Sequence, residues 1–431
     1  MTSVHEPSRR RGQPPAGRLA IDGGSAVRPP ELAWPTWPVP AKNAGPLLDS
    51  VLNSGRWAIT SPSGSDLFER RFAREFAAYV GTRHCVPVDH GSSALLVALE
   101  ALGLDFGSVV LVPALTWVAT ASAVLRAGLL PVLVDVDQDT GCIGPETLDL
   151  RDDPKAVVAV HWACAMADIP GISEVAGPRG IQVIEDAAQA HGAEWLGRPA
   201  GSLARIGCFS MQHSKVLTGG EGGAVVTDDD LLAPVLEELR ADSRRYARGT
   251  AARQGLELEE SATVMGANLC LSEFSAAVLC AQLEELDDQH RTRNRNVEVL
   301  GELLAGVPGV RLLGRRAEQT RLSVYELPIV FDPLPGMSNT EVAEALTAEL
   351  HTRFYTPREP LNRSRLLQPW TKPGLAPLAE RFRALHQDRE YPHAEYLTRH
   401  AVLTHHSSLL GPERDMTHIA EAVAKVVSAA S

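Results

Sequence analysis

Lysine is scarce in this chain: only Lys42, Lys155, Lys215, Lys372 and Lys425 occur among 431 residues. Arginine supplies most of the 41 basic residues, and 53 aspartates and glutamates outweigh them to a net charge of −12. That balance excludes nucleic acid or an anionic membrane as a general partner. Long apolar runs are missing too, so no segment is predicted to cross a bilayer. The start, Met1-Thr2-Ser3-Val4 through Arg9-Arg10-Arg11, is basic, but no apolar stretch follows, and a secretory signal is not expected. The six cysteines (85, 142, 164, 208, 270, 280) lack the close double spacing of a zinc site, so no metal is expected. Most sit in apolar surroundings, which predicts buried, reduced thiols in a cytoplasmic protein.

What is present predicts an α/β fold. The length suggests two unequal domains. Residues 1–18, rich in Arg, Pro, Gly and Ser, read as a disordered tail. A large domain spans 19–250 and a smaller α+β domain 251–431. Residues 28–40, with Pro29-Pro30 and Trp34-Pro35-Thr36-Trp37-Pro38, predict an extended arm whose tryptophans need burial, with a neighbouring subunit as one cover. Helices are expected over 43–54, 65–80, 92–102, 117–127, 231–248, 272–305, 339–350 and 415–429. Residues 249–263 read as a polar loop and 356–378 as a Pro/Arg-rich stretch. Apolar β-type runs at 85–88, 109–112, 131–136, 156–160, 182–184, 207–210 and 223–227 alternate with several of the helices. Strands apolar throughout imply a mostly parallel sheet buried on both faces. Ligands gather at the carboxyl ends of such strands.

Two of those ends carry chemistry. Lys215 lies in Phe209-Ser210-Met211-Gln212-His213-Ser214-Lys215-Val216-Leu217-Thr218-Gly219-Gly220, between a buried strand and a glycine-rich turn. A desolvated lysine has a lowered pKa and serves as nucleophile and base. Asp186 follows Val183-Ile184-Glu185 at another strand end. An aspartate there also suits a helix cap. With Lys215, however, it makes the pair that pyridoxal phosphate needs: an amine to form a Schiff base with the aldehyde, and a carboxylate to keep the ring nitrogen protonated.

Supporting groups surround this pair. Gly91-Ser92-Ser93 opens a helix after a strand, where free N–H groups favour a phosphate. Ser210 offers a further hydroxyl, Gln189 could face the cofactor's phenolic oxygen, and Trp117 could stack on its ring. His191 reads as a structural histidine.

At these residues the chain resembles the sugar and cyclitol branch of the fold-type I aminotransferases, the DegT/DnrJ/EryC1/StrS family. The resemblance runs from about Arg18 to the C-terminus. It rests on Gly55-Arg56-Trp57-Ala58-Ile59, the Lys215 run, Arg240-Ala241-Asp242-Ser243-Arg244 and Asn268-Leu269-Cys270-Leu271-Ser272-Glu273-Phe274. The last stretch points to the glutamine:scyllo-inosose and 2-deoxy-scyllo-inosose aminotransferases of aminoglycoside biosynthesis.

The resemblance implies that Lys215 is the Schiff-base lysine and Asp186 the pyridinium partner. It implies that Gln189 contacts the ring oxygen, Trp117 stacks on the ring, and Ser92, Ser93 and Ser210 bind phosphate. Asn268 would reach the phosphate of the neighbouring subunit, making a homodimer with shared sites. The implied reaction moves an amino group from L-glutamine to a cyclic polyol ketone. Rival readings are a nucleotide-sugar aminotransferase, a sugar dehydratase (relatives of that kind replace the lysine with histidine) and a non-catalytic regulatory protein keeping the fold. The chain departs from relatives in three places: the loop 161–168, where they usually carry glycine, the shortened segment 60–65, and the stretch 354–360. Such loops would shape the acceptor pocket.

Overall fold

The computed structural model describes residues 17–60, 68–248 and 257–430. Most of the expected tail, most of the short segment at 60–65 and the first part of the polar loop at 249–263 lie outside these residues.

Sixteen strands follow one another among the described residues. The first five are β1 (His84–Val88), β2 (Val109–Pro113), β3 (Leu130–Val134), β4 (Ala156–Val160) and β5 (Gln182–Asp186). A short pair, β6 (Glu194–Trp195) and β7 (Arg198–Pro199), precedes β8 (Ile206–Ser210) and β9 (Gly223–Thr227). Next come β10 (Arg244–Tyr246), β11 (Leu258–Glu260), β12 (Val310–Leu312), β13 (Gln319–Arg321) and β14 (Glu326–Phe331). The last two are β15 (Phe354–Tyr355) and β16 (Ala401–His405).

The main sheet has seven strands in the order β1-β9-β8-β5-β4-β2-β3. Only β9 runs against the others, pairing antiparallel with β1 and β8. Strands β2, β3, β4, β5 and β8 pair in parallel. Nearly every side chain in these strands is buried, as the uninterrupted Val, Ile, Leu and Ala runs require of a sheet covered on both faces.

Phe72 and Phe76 of helix Phe68–Val80 share one apolar cluster with Phe209, Met211, Leu217 and Leu279. A second cluster contains Val110, Leu133 and Val158 of the main sheet and reaches Ile329 and Val402. Those last two residues belong to a four-stranded sheet, β12-β14-β16-β15, whose strands all pair antiparallel. The expected domain boundary near residue 250 falls between the paired strands β10 and β11, and this small sheet begins only at Val310.

The long helix is single, Glu273–Leu304, and its N-cap Ser272 accepts from the Ser275 N–H. The helix expected over 231–248 is shorter, Leu232–Arg240. Asp242 and Ser243 then take positive φ, 53° and 63°, a conformation aspartate tolerates better than most residues, and β10 follows.

Helices Ala376–His386 and Pro392–His400 and strand β16 were not anticipated. Helix Pro392–His400 passes directly into β16, with Ala401 already extended, so no glycine, proline or asparagine marks the junction.

The arm tryptophans are half-buried against their own chain, and each indole N–H finds a partner there. Trp34 Nε1 donates to the Leu350 carbonyl and Trp37 Nε1 to the His213 carbonyl. All six cysteines are free thiols, five of them buried. Among the described residues no helix is long and apolar enough to cross a membrane, and no cluster of three or more His, Cys, Asp or Glu could hold a metal ion.

Candidate active site

The carboxyl ends of β1, β4, β5 and β8 meet the small sheet around a cavity of about 1040 Å³. Lys215 and Asp186 both line it.

Strand alternation sorts two adjacent acids on β5 onto opposite faces. Glu185 is fully engaged: it accepts from the N–H groups of Gly201, Leu203 and Ala204 and from His161 Nε2. Asp186 faces the cavity. It accepts from Thr120 Oγ1 (3.1 Å) and from the Ala188 N–H (3.2 Å). Burial pushes its carboxyl pKa up, against the pull of those two bonds and of Lys215 and His161. A buried carboxylate so placed is short of positive charge, and a pyridinium N–H would supply it.

Lys215 sits in a turn in which its own N–H donates to the Gln212 carbonyl (2.8 Å). Its Nζ lies 3.9 Å from the centroid of the Tyr325 ring. Burial lowers its pKa to about 8, while Glu326 and then Asp186 act to raise it. An amine in that range is a competent nucleophile and proton carrier near neutral pH.

A helix start on the same cavity offers a place suited to an anion. Helix Gly91–Glu100 starts after His90, which is extended and makes no side-chain cap bond. The exposed dipole end therefore faces the cavity through Gly91 and Ser92. Ser210, at the end of β8, closes the other side. A Cβ on Gly91 would come within 2.4 Å of Ser210 Cβ, so only glycine lets these two elements meet. Gly91→Ala is expected to cost about 1–3 kcal/mol, felt in both folding and cofactor affinity, as overpacking does. A cofactor titration followed by fluorescence would measure it.

Two other expected residues also line the cavity or its mouth. Gln189 Oε1 accepts from the Ala163 N–H (2.6 Å), so its NH₂ is the end left to donate to a cofactor oxygen. Ala163 is held at φ 59°, a setting that glycine adopts without strain, inside the loop where relatives usually carry glycine. Trp117 is 45% exposed, with the Arg358 guanidinium 4.4 Å from its ring centroid.

Two expected residues fall elsewhere. Ser93 is buried in the first turn of its helix and does not line the cavity. Asn268 is exposed, bridged to Ala241, and outside this chain's cavity. His191 is fully buried against Phe76 and Phe209, and burial lowers its pKa to about 3, so it is neutral.

Sequence reading missed most of the wall that the small sheet contributes: Tyr325, Glu326, Arg353, Arg358, Leu403 and His405. Glu326 accepts from the Tyr355 hydroxyl (2.7 Å), and burial raises its pKa. The departure noted at 354–360 was the available signal, since Tyr355, Thr356, Pro357 and Arg358 all reach the cavity.

The geometry fits pyridoxal phosphate, with an amine, a facing acid, a phosphate cradle and a flat aromatic around one hollow. Comparisons with known proteins agree. The profile of the DegT/DnrJ/EryC1/StrS aminotransferase family matches residues 44–423. An L-glutamine:2-deoxy-scyllo-inosose aminotransferase from Streptoalloteichus tenebrarius is 46% identical over 415 residues, covering 95% of this chain and 97% of that protein. An L-glutamine:scyllo-inosose aminotransferase from Streptomyces griseus is 40% identical, with 95% and 97% covered. Among solved structures, a 3-amino-5-hydroxybenzoic acid synthase superposes with a TM-score of 0.78 at 30% identity, over 92% of this chain and 99% of that one.

Proposed function

Because this chain belongs to the DegT/DnrJ/EryC1/StrS aminotransferase family, with its fold-type I architecture, we propose that it is a pyridoxal phosphate enzyme that moves an amino group from L-glutamine to a cyclitol ketone such as scyllo-inosose or 2-deoxy-scyllo-inosose, within aminoglycoside biosynthesis. The observation that carries this reading is the meeting of Lys215 and Asp186 in one cavity.

When bound, the cofactor supplies an aldehyde for the amine and a ring that accepts electrons. The residues do the rest. Asp186 would hold the proton on the ring nitrogen. Gly91, Ser92 and Ser210 would hold the phosphate, Gln189 would donate to the ring oxygen, and Trp117 would stack on the ring. With the cofactor bound, Lys215 Nζ would take the proton from the donor's α-carbon and return a proton during the half-reaction with the ketone. Glu326 and the Tyr355 oxygen, whose proton is given to Glu326, present acceptors to a ring bearing many hydroxyls, and Arg353 and Arg358 offer positive charge to the donor's carboxylate. Two near relatives named as inosose aminotransferases support a cyclitol over a nucleotide-linked keto sugar.

The working unit is a cytoplasmic homodimer. Asn268 is exposed, near the 91% exposed Met265, and by family resemblance serves the partner's cofactor. The test is incubation with amide- and amine-labelled glutamine and, in parallel, scyllo-inosose, 2-deoxy-scyllo-inosose and a nucleotide-linked keto sugar. Amine label in an aminocyclitol is the expected result; amination of the nucleotide-linked sugar alone would defeat the acceptor class.

A further inference from the structure

We infer that His405 and His406 are positioning residues for Lys215: from the end of β16, each directs Nε2–H at the carbonyl of Ser214, and together they fix the peptide plane on which the lysine is mounted. The distances are 3.2 Å from His405 and 3.0 Å from His406. The plane is held on its other edge as well, because the N–H of that same peptide is the Lys215 N–H, bonded to Gln212. With both edges held, the direction in which the Lys215 side chain leaves the backbone is set.

The tautomers agree with this role. His405 Nδ1 accepts the Ser407 N–H (3.3 Å), which places the ring proton on Nε2. His406 is fully buried, and among the described residues its Nδ1 has no partner and its bond to Ser214 is the one polar contact of a costly buried ring. Burial lowers the pKa of both rings, to about 4 for His405, so they act as neutral donors.

Neighbouring contacts reinforce the clamp. The Trp37 ring meets His406 edge-on at 4.4 Å, and Trp37 Nε1 holds the preceding carbonyl, that of His213. Ser214 Oγ bonds both Gln212 Oε1 and the Tyr325 hydroxyl, the ring above which Lys215 Nζ rests. The small sheet thus reaches the lysine turn through its carbonyl, its hydroxyl and its amine.

This inference rests on the proposed function, and its test separates the two. His406→Leu removes a donor; His406→Gln returns an N–H near the original Nε2. The readouts are the melting temperature, the pH midpoint at which the lysine–cofactor absorbance titrates in the loaded protein without substrate, and kcat and KM. For His406→Leu the midpoint is expected to shift and kcat to fall about 10- to 100-fold, the scale of a misplacement near 1 Å, with KM changed by less than about threefold. His406→Gln is expected to recover most of the loss. The inference is overturned when His406→Leu keeps the parent's midpoint and kcat, or when Gln does no better than Leu. Should the His406 variants not fold, His405→Leu and His405→Gln, at a half-buried position, are judged by the same criteria. A parent protein that never shows the absorbance defeats the cofactor reading instead, and a parent that shows it but aminates no ketone defeats only the acceptor class.

Discussion

Lys215→Ala protein mixed with pyridoxal phosphate is expected to lack the near-visible band of the lysine–cofactor linkage and to lose turnover by about 10⁴-fold or more, the upper range for one lost proton-transfer group. The other four lysines leave no substitute, because none of them lines the cavity. The loss is local chemistry rather than unfolding: removing a buried amine also removes its desolvation cost, the largest influence on its pKa. Unchanged far-ultraviolet dichroism beside absent turnover would establish this. Full activity in Lys215→Ala would end the assignment.

Asp186→Asn is expected to lower turnover by about 10²- to 10³-fold, the cost of losing one preorganised electrostatic contact. Asparagine keeps the shape: its Oδ1 can still accept from the Ala188 N–H, while its NH₂ takes the place of the oxygen that Thr120 Oγ1 meets and can donate to that hydroxyl, so the main change is the loss of charge. The cofactor-free protein should respond in the opposite sense. Burial raises the Asp186 pKa, so the folded state holds this proton more tightly than the unfolded chain. Ionisation of such a carboxyl costs stability as pH rises above its unfolded value, and asparagine carries no such cost. Without cofactor, then, Asp186→Asn should melt no lower than the parent at pH 7. Loaded with cofactor, it should gain less stability than the parent. Calorimetry with and without pyridoxal phosphate would read both.

The main sheet was legible because its strands are buried on both faces and so are written in unbroken apolar runs. The Lys215–Asp186 pair was legible because each follows such a run. The small sheet's wall was not, for a physical reason. Its site residues stand at strand ends, where Tyr325, Glu326 and Tyr355 look like the ordinary polar alternation of a half-exposed strand. β16 was hidden further by a helix that enters it without punctuation. The arm's tryptophans announced a need for burial, but nothing local in the chain says that Trp37 answers the His213 carbonyl, 176 residues away.

The small sheet's two contributions to the cavity have different tolerance for redesign. Exchanging residues 352–358 alters the wall around Tyr355 and Arg358 while leaving the His405 and His406 bonds to Ser214 in place. Exchanging 403–407 disturbs those bonds directly. Libraries seeking new acceptors should therefore diversify the first segment around Arg353 and Arg358, which serve the donor, and spare the second, since a graft carrying a whole foreign C-terminal third would change the fit of the substrate and the aim of the nucleophile together.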